Sequence, residues 1–67
     1  MRISVDMGDP GYAPNWHQFG VVLNDRPVIN TITADEELGL VRLAVADEQG
    51  RQVEKVLFGN VKIERVH

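Results

Sequence analysis

No stretch of this sequence sustains apolar residues at the 3.6-residue spacing of a helix, and turn formers interrupt it throughout: Gly8-Asp9-Pro10-Gly11, Asn24-Asp25, Gly39, Asp47 to Gly50 and Gly59-Asn60. A chain cut this finely keeps only segments of strand length. Ala34 to Gly39 is the single helical-looking fragment, and it is one turn long, with Asp35 placed to cap it and Gly39 to close it. The expected fold class is therefore all-β: a small antiparallel meander of about six short strands, curled into a partly closed barrel or sandwich so that its apolar face is covered. Residues 1–67 make a single domain.

The strands can be placed from pattern and turn chemistry. Ile3, Val5 and Met7 alternate with Arg2, Ser4 and Asp6, the period of a strand with one buried face. Val21-Val22-Leu23 and Arg26-Pro27-Val28-Ile29 flank Asn24-Asp25, residues that tolerate the positive φ of a type I′ hairpin turn. Pro27 restricts its strand to an edge or leaves it locally unpaired there. Leu40 to Ala46 forms a further strand, and an even-length connection through Asp47-Glu48-Gln49-Gly50, with Gly50 at positive φ, would keep Val41 and Leu43 on the face of Val56 and Phe58. Gly59-Asn60 predicts a last, type II′ hairpin that sets Val56 against Ile63, Lys55 against Glu64 and Glu54 against Arg65. The expected core is Ile3, Val5, Val41, Leu43, Val56, Phe58, Val61 and Ile63.

A domain of 67 residues is marginally stable on its own, and with no cysteine it has neither disulfides nor thiolate zinc sites to add to it. Self-association is the remaining common aid, so the expected partner is protein, including a second copy of the chain. The C-terminal strand, Val61 to Val66, and the loop of Tyr12, Trp16 and Phe19 are the expected contact surfaces. No apolar run approaches the ~20 residues that cross a bilayer, and the start lacks the apolar block of a signal peptide; the expectation is a cytoplasmic protein without membrane contact. The net charge of −3 argues against general nucleic-acid binding. Arg42, Lys55, Lys62 and Arg65 are the one candidate basic stripe, diluted by Glu54 and Glu64 and without interleaved aromatic residues.

Three of the four aromatic residues, Tyr12, Trp16 and Phe19, share the segment from Gly8 to Gly20 with His17. Two roles fit them: rings folded back as a lid on the core, or exposed anchors for a partner. His17 lacks the three or four spaced ligands of a metal site, since the only other histidine is His67. Ser4, the only serine, has no glycine-flanked elbow, and Asp35-Glu36-Glu37 reads as a solvated acidic turn. A single sheet this small also leaves little room for a pocket of ~300 Å³ or more. These features predict no catalytic residue, no metal and no cofactor.

Asp9-Pro10-Gly11-Tyr12, Leu23-Asn24-Asp25, Ala34-Asp35-Glu36-Glu37 with Gly39, the turn from Asp47 to Gly50, and Gly59-Asn60-Val61-Lys62-Ile63 together resemble small proteins of tailed bacteriophages and integrated prophages. The resemblance implies a bacterial cytoplasm or a virion as the place of action, and it carries no site residues with it. The leading expectation is a small non-catalytic interaction or structural module. The alternative is a small-barrel nucleic-acid-binding protein.

Overall fold

A computed structural model describes residues 1–66. Seven strands run in chain order, β1 (Arg2–Ser4), β2 (Phe19–Leu23), β3 (Arg26–Val28), β4 (Thr31–Asp35), β5 (Leu40–Ala46), β6 (Gln52–Phe58) and β7 (Val61–Arg65). They form two antiparallel sheets, one ordered β1-β4-β5-β6 and the other β3-β2-β7. The all-β expectation holds. Among the described residues the two ladders do not join into a closed barrel, and no helix is long and apolar enough to cross a membrane.

Asn24 and Asp25 take φ values of 52° and 66° and turn β2 into β3, with Leu23 opposite Arg26 and Val21 opposite Val28. This is the type I′ turn that the dipeptide predicts. The β5–β6 connection is different from its expectation. Gly50 is at positive φ (79°) as its position suggests, but Gly50 N–H donates to Asp47 C=O (3.0 Å) and Asp47 N–H to Arg51 C=O (2.8 Å). The loop is thus three residues, Glu48-Gln49-Gly50, a tight turn closed by a glycine bulge. An odd loop reverses the parity of the returning strand. Val41 therefore stands opposite Leu57 and Leu43 opposite Lys55, while Val56 meets Arg42 and Phe58 meets Leu40.

The Gly59-Asn60 hairpin does not form. β7 leaves β6 and pairs with β2, placing Val61 opposite Leu23 and Ile63 opposite Val21. Asn24 explains the crossing: its N–H donates to Asn60 C=O (2.9 Å) and its Oδ1 accepts Asn60 N–H (2.9 Å), so the second turn is tied to the first. A Cβ on Gly59 would lie 2.6 Å from the Asn24 side-chain amide, so a larger residue there would have to displace the side chain that ties the two turns together. Consequently Glu64 faces Gly20 and Arg65 faces Phe19, and the expected pairs Lys55–Glu64, Glu54–Arg65 and Val56–Ile63 are absent. The gain is burial: in this position Val61 is 4% exposed.

Ile3, Val21, Ala34, Val41 and Val61 form the buried core, drawn from both sheets, with Leu43 and Ile63 packed against it. Val56 and Phe58, expected there, are 45% and 70% exposed because the odd loop turns them to the opposite face of β6. Strand β1 pairs with β4 and stops at Ser4, so Val5 is only partly buried and Met7 is 80% exposed. The side chains of the first turn end it: Ser4 Oγ accepts Asp6 N–H and Asp6 Oδ1 accepts Gly8 N–H.

Candidate functional site

A half-open cleft of about 680 Å³ lies between the two sheets, where so short a chain was expected to leave little room for one. The second sheet supplies the facing wall through β2 and β3. Ile3 and Val5 line one side, Phe19, Val21 and Val28 the facing sheet, and Ile32 and Val45 the far end. Irregular pairing builds that far end. Thr31 is opposite Leu43 and Thr33 opposite Arg42, so Ile32 is an extra residue, a β-bulge that brings the consecutive Thr31 and Ile32 both to the cleft. Thr31 Oγ1 is buried beneath that surface, with no hydrogen-bond partner among the described residues.

The four residues singled out in the aromatic loop separate. Phe19 opens β2, packs against the core and lines the cleft. Trp16, in a single 3₁₀ turn from Trp16 to Gln18, also lines it and remains 48% exposed. His17 is exposed, its ring edge-on to that of Trp16 with centroids 6.1 Å apart. Tyr12 lies elsewhere, bridged to Ser4 at the edge of the four-stranded sheet and 43% exposed. Among the described residues no group of three or more histidine, aspartate and glutamate side chains could hold a metal ion; His67 lies outside them.

The outer face of the four-stranded sheet carries a polar network. Arg2 donates from Nε and Nη2 to the two oxygens of Asp9 (2.8 and 2.7 Å) and from Nη1 to Asp35 (3.1 Å). The Arg2 guanidinium, helped by Gly11 N–H, lowers the Asp9 carboxyl to a pKa of about 2. Asp35 is also held below the usual carboxylate range, first by Leu38 N–H and then by Arg2. Beneath this, Ser4 Oγ and Thr33 Oγ1 share a buried hydrogen bond of 2.9 Å, and Arg42 reaches Thr33 and Asp6. Carboxylates kept anionic in this way have no proton to give near neutrality, whereas a general acid needs its pKa raised. The network clamps the segment from Asp6 to Tyr12 onto the sheet. Asp35 and Glu36 are correspondingly not a solvated pair: Asp35 is 7% exposed, and Glu36 accepts Ile63 N–H at 2.9 Å while lying 3.3 Å from the N-terminal ammonium.

Three of the four sheet edges are guarded. Pro27 sits on β3, Glu36 occupies the outward N–H of Ile63 on β7, and Gly11 to Ala13 runs along β1 through Ser4 N–H to Gly11 C=O and Ala13 N–H to Ser4 C=O. β6 is the fourth. Its ladder with β5 is flanked by Gly59 N–H to Gly39 C=O and Asp47 N–H to Arg51 C=O, and alternation from those bonds turns the N–H and C=O groups of Gln52, Glu54, Val56 and Phe58 outward. Val53, Val56 and Phe58 are all more than 40% exposed on it. The sequence does carry a sign of this. Gln52/Glu54/Val56/Phe58 and Val53/Lys55/Leu57 are both mixed sets, so neither face of β6 is uniformly apolar.

The four basic residues do not make a stripe. Arg42 lies on the outer face of one sheet within reach of Asp6 and Glu54, Lys55 is on the opposite face, and Lys62 and Arg65 alternate on β7 in the other sheet. No family model, no curated protein and no solved structure matches the chain.

Proposed function

We propose that this chain is a non-catalytic module that works by strand pairing, joining its four-stranded sheet to that of a second copy through β6. The observation that carries this is the unguarded edge: a seven-residue strand with regularly outward N–H and C=O groups, beside three edges that are each blocked. This differs from the C-terminal strand first expected to pair, because Glu36 occupies the Ile63 N–H.

The charges on β6 select a register. Two identical antiparallel strands are related by a two-fold axis normal to the sheet, so like faces stay on like sides. An axis through Glu54 or Lys55 sets like charges opposite each other, which is unfavourable. An axis through Val56 sets Val56 against its copy, Glu54 against Phe58 and Lys55 against Leu57, and makes the outward groups of Glu54, Val56 and Phe58 the hydrogen-bonded positions. One strand pair is a small interface, so the dimer is a weak one, populated at on the order of 100 µM. A structural role in a phage or its host, which only the resemblance to small phage proteins implies, is part of this proposal, and a gene neighbourhood of head or tail genes would support it.

Sedimentation equilibrium over a wide concentration range tests the pairing. Wild type reaches the mass of a dimer, and Val56→Pro, which loses an N–H that β5 does not use, stays at 7.5 kDa. Val56→Cys, in a chain without other cysteines, cross-links to a dimer on oxidation. A wild type that remains monomeric at hundreds of micromolar overturns the proposal, as does a Val56→Pro variant that still dimerises.

A further inference from the structure

We propose that β7 is a second pairing edge, fitted to another copy of itself, and that Glu36 is the latch that holds it shut. The ladder between β7 and β2 is flanked by Asn24 N–H to Asn60 C=O (2.9 Å) and Val66 N–H to Gln18 C=O (2.8 Å). Alternation between those bonds turns the N–H and C=O of Ile63 away from β2. Glu36 Oε2 accepts that outward N–H at 2.9 Å, from a side chain that reaches over from the turn after β4 in the other sheet. A charged side chain laid across an edge is a device against pairing. This one is 32% exposed, so it can be displaced without opening the core.

What lies behind the latch is self-complementary. Lys62 and Glu64 flank Ile63, both exposed, and opposite them on β2 stand Val22 and Gly20, which offer no charge. Among the described residues neither Lys62 nor Glu64 is in an ion pair. A second β7, antiparallel about a two-fold axis through Ile63, sets Lys62 against Glu64 of the second copy, twice over, and makes Ile63 the hydrogen-bonded position. Opposite charges placed so are stabilising, whereas an axis through Lys62 or Glu64 would oppose like charges. The consequence concerns closure. β6 and β7 are edges of different sheets, so a copy with both edges open would pair on two sides and extend a ribbon, while a latched copy stops at the β6 pair. The ribbon rests on pairing at β6; the latch does not.

Sedimentation in the Val56→Pro background, where β6 is blocked, isolates β7. Val56→Pro alone stays at 7.5 kDa, and adding Glu36→Ala doubles the mass at on the order of 100 µM. Glu36→Asp, one methylene shorter, withdraws the carboxylate from Ile63 while keeping the charge, and it serves where the alanine variant loses its dispersed amide spectrum. Adding Glu64→Lys weakens the released dimer about tenfold, and combining it with Lys62→Glu restores the pairing. The inference is overturned if a folded, released variant stays monomeric at hundreds of micromolar, or if its dimer ignores the charges at Lys62 and Glu64. In the otherwise wild-type chain Glu36→Ala passes beyond the dimer. A Glu36→Ala variant that stops at the dimer beside a monomeric wild type would support the latch, and it is the β6 pairing that would then fail.

Discussion

Asp9 accepts two hydrogen bonds from the Arg2 guanidinium and a third from Gly11 N–H, and the ion pair fastens the loop after β1 to that strand, whose arginine also reaches Asp35. The consequence is a pH dependence of defined sign. The Asp9 carboxyl falls from an ordinary value of 3.8 to about 2 in the folded chain, so folding favours its anion. Its contribution to stability is complete above 3.8 and is lost as the pH falls through about 2. Asp35 and Glu36, lowered by Leu38 N–H and Ile63 N–H respectively, act in the same direction. Carbon-detected NMR of the carboxyl groups should show Asp9 titrating near 2, and Arg2→Gln should return it towards 3.8 while removing part of the acid-side loss of stability. An Asp9 that titrates near 3.8 with Arg2 in place would mean that the pair does not hold in solution.

At the scale of elements, two glycines share one backbone conformation and differ in what surrounds it. Gly39, at φ 63°, closes the turn between β4 and β5, and a Cβ there would stand 2.6 Å from the carbonyl oxygen of Gly59. Gly50, at φ 79°, has nothing within 4 Å of the same position. Gly50→Ala therefore costs only the left-handed backbone penalty, about 1–2 kcal/mol. Gly39→Ala carries that cost and a clash with backbone, and should be clearly the more damaging of the two in urea unfolding. Equal losses would show that the turn at Gly39 can open. Both glycines were legible in the sequence as turn residues, and so were the Asn24-Asp25 hairpin and the bounds of β5, because in each the deciding chemistry is local. The partner of β7 was not. Gly59-Asn60 has the composition of a hairpin, and only the contacts of Asn24, 36 positions away, send the chain to the other sheet. The cleft was hidden as well: Trp16 and Phe19 stand out as aromatic residues, but the wall facing them is set by the packing of one sheet on the other and by a bulge that no residue type at Ile32 announces.

For the whole molecule the question is how so few buried side chains keep seven strands folded. Among the described residues five hydrophobic side chains are buried, none larger than Ile3, and only Ala34 and Val41 have no exposure at all. The exposed surface is 4710 Å², roughly a tenth above the ~4,250 Å² that size scaling gives a monomer of this mass. Val53, Val56 and Phe58 on β6 are among the large hydrophobics left exposed, and the monomer should be correspondingly weak. If β6 pairs with its copy, folding and association are linked, and the thermal midpoint must rise with protein concentration. A hundredfold increase adds about 1.4 kcal/mol per chain by mass action, or about 5–10 °C for a domain of this length. Calorimetry of wild type across that range should show the rise, and Val56→Pro, which removes the pairing edge without removing a β5 hydrogen bond, should melt at a constant and lower temperature. A midpoint in wild type that does not move with concentration would show that the folded state stands alone on its five-residue core, and that β6 contributes nothing to stability beyond its ladder with β5.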